Sequence, residues 1–157
     1  MTQRLRWAKV APDAYRAMFA LETYARSTGL EPSLYELVKL RASYVNGCAF
    51  CVDMHSKDAR ADGETEQRIY AIPVWRETPF FTPRERAALA WTEAVTELGP
   101  HGVPDDIYAE ACAHFSEIEL VHLTMCIVAI NGWNQLGVAF RAEVGTYQPK
   151  HREDPAR

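Results

Sequence analysis

The sequence lacks any long apolar run: its longest, Met125–Ile130, falls far short of the roughly 20 residues a membrane-spanning helix needs. The stretch Met1–Lys9 is too polar for the apolar core of a signal peptide. The expectation is therefore a cytoplasmic chain with no membrane partner. A basic excess is missing as well, because 17 Lys plus Arg stand against 21 Asp plus Glu for a net charge of −4, with no basic block. Nucleic acid and anionic lipid are thus excluded as first choices of partner. No segment alternates β-branched and polar residues, so no sheet is expected. Cysteine is scarce, four in 157 residues, which argues against a disulfide-dense secreted miniature. The chain is also too short for a separate cofactor-binding domain beside a core.

What is present reads as helices. With 48% hydrophobic and 24% charged residues the chain has the balance of one globular domain. Its bounds are expected at residues 1–146, with a polar, frayed tail over 147–157. Prolines open segments and glycines close them: Pro12 to Gly29, Pro32 to Gly47, and Cys48 to Gly63. A further helix from Thr65 to Ile72 is stopped by Pro73, with a loop over Thr78–Phe81. Thr82-Pro83-Arg84-Glu85 and Ser116-Glu117-Ile118-Glu119 are capping-box signatures, opening helices that run to Gly99 and, in the second case, to Val144. Pro104 to Phe115 supplies another. Gly132 and Gly137 inside the last helix imply a kink or a close helix contact. The fold class is all-α, with about six to eight helices.

One constellation carries chemistry. On a helix advancing about 100° per residue, Cys48, Cys51 and His55 share a face over two turns. Cys48 follows Asn46-Gly47 and sits at the helix N-terminus, where free amides and the helix dipole favour a thiolate. His55, four residues beyond Cys51, can exchange a proton with either sulfur. If the chain reverses at Gly47 into antiparallel helices, His55 lies level with Lys39, and Glu36 is then about 4.5 Å further along the axis. Glu36 is the carboxylate placed to orient the imidazole. In a reducing compartment such a pair is redox-active, catalytic or metal-binding. A zinc site has three ligand types here but no fourth from a second Cys-x-x-Cys or His pair.

Glu36, eleven residues, Cys48-x-x-Cys51, three residues and His55 resembles the signature of the alkylhydroperoxidase AhpD-like branch of the carboxymuconolactone decarboxylase family. The likeness spans Pro12–Arg141 and includes Leu34–Ser43, Asn46–His55, Arg86–Thr96 and Ala129–Asn134. The resemblance implies a helical fold assembling as a homotrimer or homohexamer, and a thiol-dependent, antioxidant hydroperoxide reductase. By the same analogy Cys51 is the peroxidatic thiolate, Cys48 the resolving thiol that closes a Cys48–Cys51 disulfide, and Glu36 and His55 the proton relay. The helix-terminus argument by itself favours the lower pKa at Cys48. No bound cofactor is implied: the two sulfurs are the redox centre, recharged by an external dithiol such as a lipoyl group or thioredoxin. Two departures stand out, Phe50 where the type enzyme has His and Gln135 where relatives commonly carry Arg. The alternatives are a non-peroxidatic thiol–disulfide or metal-binding oligomer and, less favoured, a decarboxylase of the kind that names the family, since that branch does not rely on a cysteine pair.

The remaining chemistry-bearing residues have plainer readings. Cys112 and Cys126 read as small buried hydrophobes. His114 and His122 read as helix-surface or interface residues and His101 as a loop residue. Trp75, Phe80, Phe81 and Trp91 read as core or subunit interface, Asp53 and Lys57 as solvated, and Trp133 and Asn134 as an interface or the mouth of the redox site.

Overall fold

Thr82 and Ser116 each cap a helix in the way their spacing requires. Each hydroxyl accepts from the amide three residues on, and the carboxylates of Glu85 and Glu119 reach back to the cap amides. A cap of this kind contributes about 1 kcal/mol. The computed structural model describes residues 2–149, and among them the chain forms eight α-helices and no strand. They are α1 Trp7–Val10, α2 Pro12–Ser27, α3 Pro32–Val45, α4 Ala49–Ala61, α5 Glu66–Ala71, α6 Pro83–Thr96, α7 Asp105–His114 and α8 Glu117–Phe140. A 3-10 segment, Ile72–Glu77, follows α5 directly. The all-α expectation holds.

Helix α3 is the hub, packing against α4, α6 and α8. It is enclosed on every side: Leu34, Tyr35, Glu36, Leu37, Val38, Lys39, Leu40, Ala42 and Ser43 are all buried. Leu34, Tyr35 and Val38 enter one apolar cluster with Ala88, Trp91, Leu123 and Ile127. Leu37 and Leu40 enter a second with Ala59, Ile72, Trp75 and Leu89. Each buried Leu or Val contributes roughly 2 kcal/mol of transfer free energy. The polar residues between these faces, Glu36, Lys39 and Ser43, are buried with them. Arg41, the charged interruption in the stripe, meets Glu93 of α6 at 2.7 Å.

Three boundaries differ from the sequence reading. α1 is an additional short helix before Pro12. α5 stops at Ala71, ahead of Pro73 as expected, and the 3-10 segment that follows is kinked at Val74, whose φ −122° and ψ 27° are not helical. α6 ends at Thr96 rather than Gly99. α8 ends at Phe140, short of Val144, because Arg141 turns left-handed (φ 52°) and the Ala142 amide closes onto the Gly137 carbonyl. α8 is long and apolar enough on average to cross a membrane. Here it is the helix against which α2, α3 and α6 pack. The carboxy-terminal segment is not frayed where it is described. Tyr147 is half-buried, its hydroxyl donates to Asp58 at 2.6 Å, and its carbonyl accepts from Lys57 at 3.0 Å. The rest of the expected tail, 150–157, lies outside the described residues.

Candidate active site

Gly47 makes the turn between α3 and α4 with φ 64°, a left-handed conformation that an L side chain adopts at a cost. Cys48, the residue after it, is the N-cap of α4, and its Sγ accepts from the Cys51 amide at 3.3 Å. The two sulfurs are joined as a disulfide across a Cα–Cα distance of 5.3 Å. Both residues are buried, at 1% and 2% exposure. Cys51 lines a cavity of about 580 Å³ and Cys48 lies behind it. In the closed pair neither sulfur is a thiolate, so the set Cys48, Cys51 and His55 is not a metal site in this state. Glu36, His55 and Asp58 do bring three ligand atoms within 4.8 Å of one another, and they are the group that could hold a cation.

The antiparallel α3–α4 pair places the side chains as the sequence register requires. His55 Nδ1 lies 2.9 Å from Glu36 Oε2, with both residues almost wholly buried. Burial first, and Lys39 second, push the His55 pKa below its usual value against the opposing pull of Glu36. Burial raises the Glu36 carboxyl, but the His55 hydrogen bond and the nearby cations outweigh it and hold it below the ordinary range. The pair is therefore neutral imidazole, donating from Nδ1, and carboxylate. Two atoms of this pair, His55 Nε2 and Glu36 Oε1, have no hydrogen-bond partner in the protein. A bare ring nitrogen beside the cavity is a proton acceptor without a competing donor.

A second buried set adjoins the first. Glu22 of α2 receives the Lys39 ammonium at 2.5 Å, the Tyr35 hydroxyl at 2.7 Å, Arg26 Nε at 2.9 Å and Trp133 Nε1 at 3.2 Å. Burial raises its carboxyl, yet Lys39, Tyr35 and Arg26 together bring it down to about 2. At the α3 C-terminus, Asn46 Nδ2 donates to Asn131 and Asn134, and Asn134 donates to Ser43. These bonds lock the turn that presents Cys48. Gly137 allows α8 to approach the disulfide: a Cβ there would lie 3.0 Å from Cys48 Sγ and 3.5 Å from Cys51 Sγ. The close contact expected at the two glycines is thus present, and α8 continues through both as one helix.

Several residues stand elsewhere than expected. Cys126 is buried, and burial raises its thiol to about 12. Cys112 is exposed, contrary to expectation, because α7 turns Ala111 and Phe115 inward and carries the intervening Cys112 outward. Asp53 and Lys57 are half-buried and hold the carboxy-terminal segment through the Gly145 amide and the Tyr147 carbonyl. Trp75, Phe81 and Trp91 are core, away from the cavity. Its aromatic wall is instead Trp7, Tyr15, Phe19, Phe50, Trp133 and Tyr147. Of these, Trp7, Tyr15 and Phe19 carried no sequence signal, because they reach the site only through the packing of α1 and α2. Neither His114 nor His122 lines the cavity, and Gln135 is exposed.

The fold and much of the sequence recur in known proteins. A protein of unknown function from Agrobacterium tumefaciens, described as a candidate AhpD antioxidant-defence protein, is 49% identical with a TM-score of 0.90, over 93% of this chain and 100% of that one. YdfG of Bacillus subtilis, uncharacterized, is 41% identical over 88% of this chain and 95% of its own. Alkyl hydroperoxide reductase AhpD of Acidobacterium capsulatum is 44% identical over 46 residues, 29% of this chain and 25% of its own. The model of the carboxymuconolactone decarboxylase family matches residues 12–94, from the start of α2 into α6 and across the whole cysteine–histidine–glutamate set. With that match and a relative similar along nearly its full length, this chain belongs to the carboxymuconolactone decarboxylase family.

Proposed function

We propose that the protein is a thiol-dependent hydroperoxide reductase that cycles between a Cys48–Cys51 dithiol and the disulfide. The observation that carries this reading is that Cys51 and His55 line one cavity, the His55 Nε2 being unpartnered and its Nδ1 held by Glu36. His55 takes the Cys51 proton, and the thiolate attacks the terminal hydroperoxide oxygen. The O–O bond breaks, the alkoxide recovers a proton through His55 and leaves as the alcohol, and Cys51 becomes a sulfenic acid. Cys48 then attacks the Cys51 sulfur, water departs and the disulfide closes. One hydroperoxide and two thiols give one alcohol, one water and one disulfide.

This division reconciles the two cysteines. The N-cap position of Cys48 and its bond from the Cys51 amide favour an anion there, which suits a resolving thiol and a leaving group. An external dithiol, a lipoyl group or thioredoxin, attacks the cavity-facing Cys51 sulfur and expels Cys48 thiolate. A homotrimer or homohexamer in the cytoplasm completes the reading, supported by the exposed Ile118, Val121 and Val128 on α8, an apolar stripe suited to another subunit.

The test is the free-thiol titre of the reduced protein before and after one equivalent of an alkyl hydroperoxide. Wild type is expected to lose two thiols, Cys48→Ser one, and Cys51→Ser none, with Cys112 and Cys126 retained throughout. No loss in the wild type would overturn the reading. A turnover assay supplied separately with dihydrolipoamide, thioredoxin and glutathione then identifies the reductant.

A further inference from the structure

The cavity that Cys51 lines is built unlike the rest of the interior. Elsewhere the core is chiefly aliphatic, with Leu37, Leu40, Ile72, Leu89, Leu123 and Ile127 among its largest fully enclosed side chains. The cavity wall holds no Leu, Ile or Val, and its apolar surface comes from aromatic rings, Met54 and small residues. The rings arrive from five parts of the chain: Trp7 of α1, Tyr15 and Phe19 of α2, Phe50 of α4, Trp133 of α8 and Tyr147 of the carboxy-terminal segment. Trp7 lies 5.9 Å from both Tyr15 and Trp133, centroid to centroid, and Tyr15 lies 5.8 Å from Trp133. Phe19 continues this surface, stacked on Tyr15 at 6.1 Å. Packing leaves much of it uncovered: Tyr15 is 41% exposed and Phe19 53%, while Trp7, Phe50 and Trp133 are half-buried. A continuous, open aromatic surface in a cavity that also reaches Cys51 is suited to a ligand.

We propose that the hydroperoxide this site takes is electrically neutral and carries an aromatic ring, which stacks on the cavity wall while the peroxide end reaches Cys51. This rests on the reading of the protein as a hydroperoxide reductase and names its substrate class. A volume of about 580 Å³ lies in the range that encloses drug-sized ligands, far beyond what hydrogen peroxide fills. A ring is favoured over an aliphatic chain because offset and edge contacts between aromatic rings add to the area they bury, whereas a chain gains the area alone. Two of the rings belong to segments that approach the sulfur. Phe50 precedes Cys51 in the chain, and Trp133 sits one turn before Gly137, where a Cβ would lie 3.5 Å from Cys51 Sγ. The charges on the wall select for neutrality. Its cations among the described residues are Arg26 and Lys39, and both are turned to Glu22, at 2.9 Å and 2.5 Å. Neither is left for a substrate carboxylate, while Asp58 and Glu143 on the same wall would repel one. A carboxylate drawn in would lose its water without gaining a partner.

The experiment follows the rate of thiol loss in the reduced full-length protein over a single turnover, so no reductant is needed. Cumene hydroperoxide is compared with tert-butyl hydroperoxide, and each rate is divided by that of the same peroxide with free dithiothreitol to remove intrinsic reactivity. Stacking on two rings predicts a preference for cumene hydroperoxide of about tenfold or more. Cumene hydroperoxide bearing a para-carboxylate should react at least about tenfold more slowly than its parent. Phe19→Leu and Phe50→Leu each keep the apolar volume and remove one ring, and each should lower the preference by about threefold. Phe19 is exposed on α2, so its variant carries the test should Phe50→Leu fail to fold. No preference in the wild type, a preference that the folded variants leave unchanged, or a para-carboxylate as fast as its parent overturns the proposal. A second arm needs no turnover: the product alcohol 2-phenyl-2-propanol is titrated into the oxidised protein and followed by tryptophan fluorescence. It should bind severalfold more tightly than 2-cyclohexyl-2-propanol, whose ring is of similar size but lacks an aromatic face, and equal or weaker binding overturns the proposal. A wild type that loses no thiol to any hydroperoxide counts against the enzymatic reading alone, and the alcohol titration then decides the ring preference.

Discussion

Two kinds of polar network hold this bundle together, and they differ in what they leave unpaired. At the edges of the helices, Arg84 binds Glu31, Glu119 and the His114 carbonyl while stacking on Phe115. Glu93 likewise takes Arg41, Arg76 and Trp75. Neither network contains a buried side-chain atom without a hydrogen-bond partner among the described residues. Inside, Glu22 with Lys39 and Glu36 with His55, bridged by Arg26, are more deeply buried, yet His55 Nε2 and Glu36 Oε1 have no hydrogen-bond partner. An edge network that only stitches helices has no reason to leave an atom unpaired, since each such atom costs about 1–3 kcal/mol when buried. Of the two, His55 belongs to the cavity that Cys51 lines, which is where the proposed proton transfer needs an open atom.

This contrast can be broken most sharply at His55. His55→Gln should keep the fold and lower the rate of hydroperoxide reduction by roughly 10²- to 10⁴-fold, the usual worth of a positioned base, in a stopped-flow assay. A loss of stability with full activity would place His55 with the edge networks.

Acid is the next lever. Glu22 has its carboxyl lowered from 4.5 to about 2, so the folded state binds its proton more weakly than the unfolded chain does. Its contribution is complete above pH 4.5 and is lost as pH falls toward 2. The size is roughly 3 kcal/mol, and Glu22→Gln should flatten that limb of an acid-unfolding series followed by circular dichroism.

Two glycines on α8 repeat the contrast in the backbone. A Cβ at Gly132 meets only the flexible end of Met18, so Gly132→Ala should be near neutral or gain up to about 1 kcal/mol of helix propensity. At Gly137 the Cβ would come within 3.0 Å of Cys48 Sγ, a buried atom tied into the disulfide, and Gly137→Ala should lose about 1 kcal/mol in the oxidised protein. Thermal melts of both variants check the difference. Arg84→Ala should cost at most about 1 kcal/mol in melts and leave turnover unchanged, since its partners are solvent-accessible.

Much of the fold is legible in the chain because its signals are local. Pro12, Pro32 and Pro83 sit in first turns, the Thr82 and Ser116 boxes close as spaced, and Gly47 takes the positive φ the turn needs. The Glu36–His55 bond was legible for a related reason: one tight turn at Gly47 sets the register of two helices, and counting residues from it suffices. Cys112 and Asp53 were misread because orientation toward a core depends on which face a partner helix covers. Nothing in the spacing of Trp7, Tyr15 and Phe19 points to a cavity two helices away.

The sequence by itself determined the helices, their caps, the cysteine pair at the start of α4 and the side chains level with it, because each depends on residues a few positions apart or on one turn. Only the tertiary structure decided that Glu22 and Trp133 close around Lys39, that α8 reaches the disulfide through Gly137, and that Cys51 rather than Cys48 faces the cavity. Those contacts join α2, α3, α4 and α8. They exist because enclosing α3 on every side leaves its buried polar side chains to pair with those of the helices packed against it.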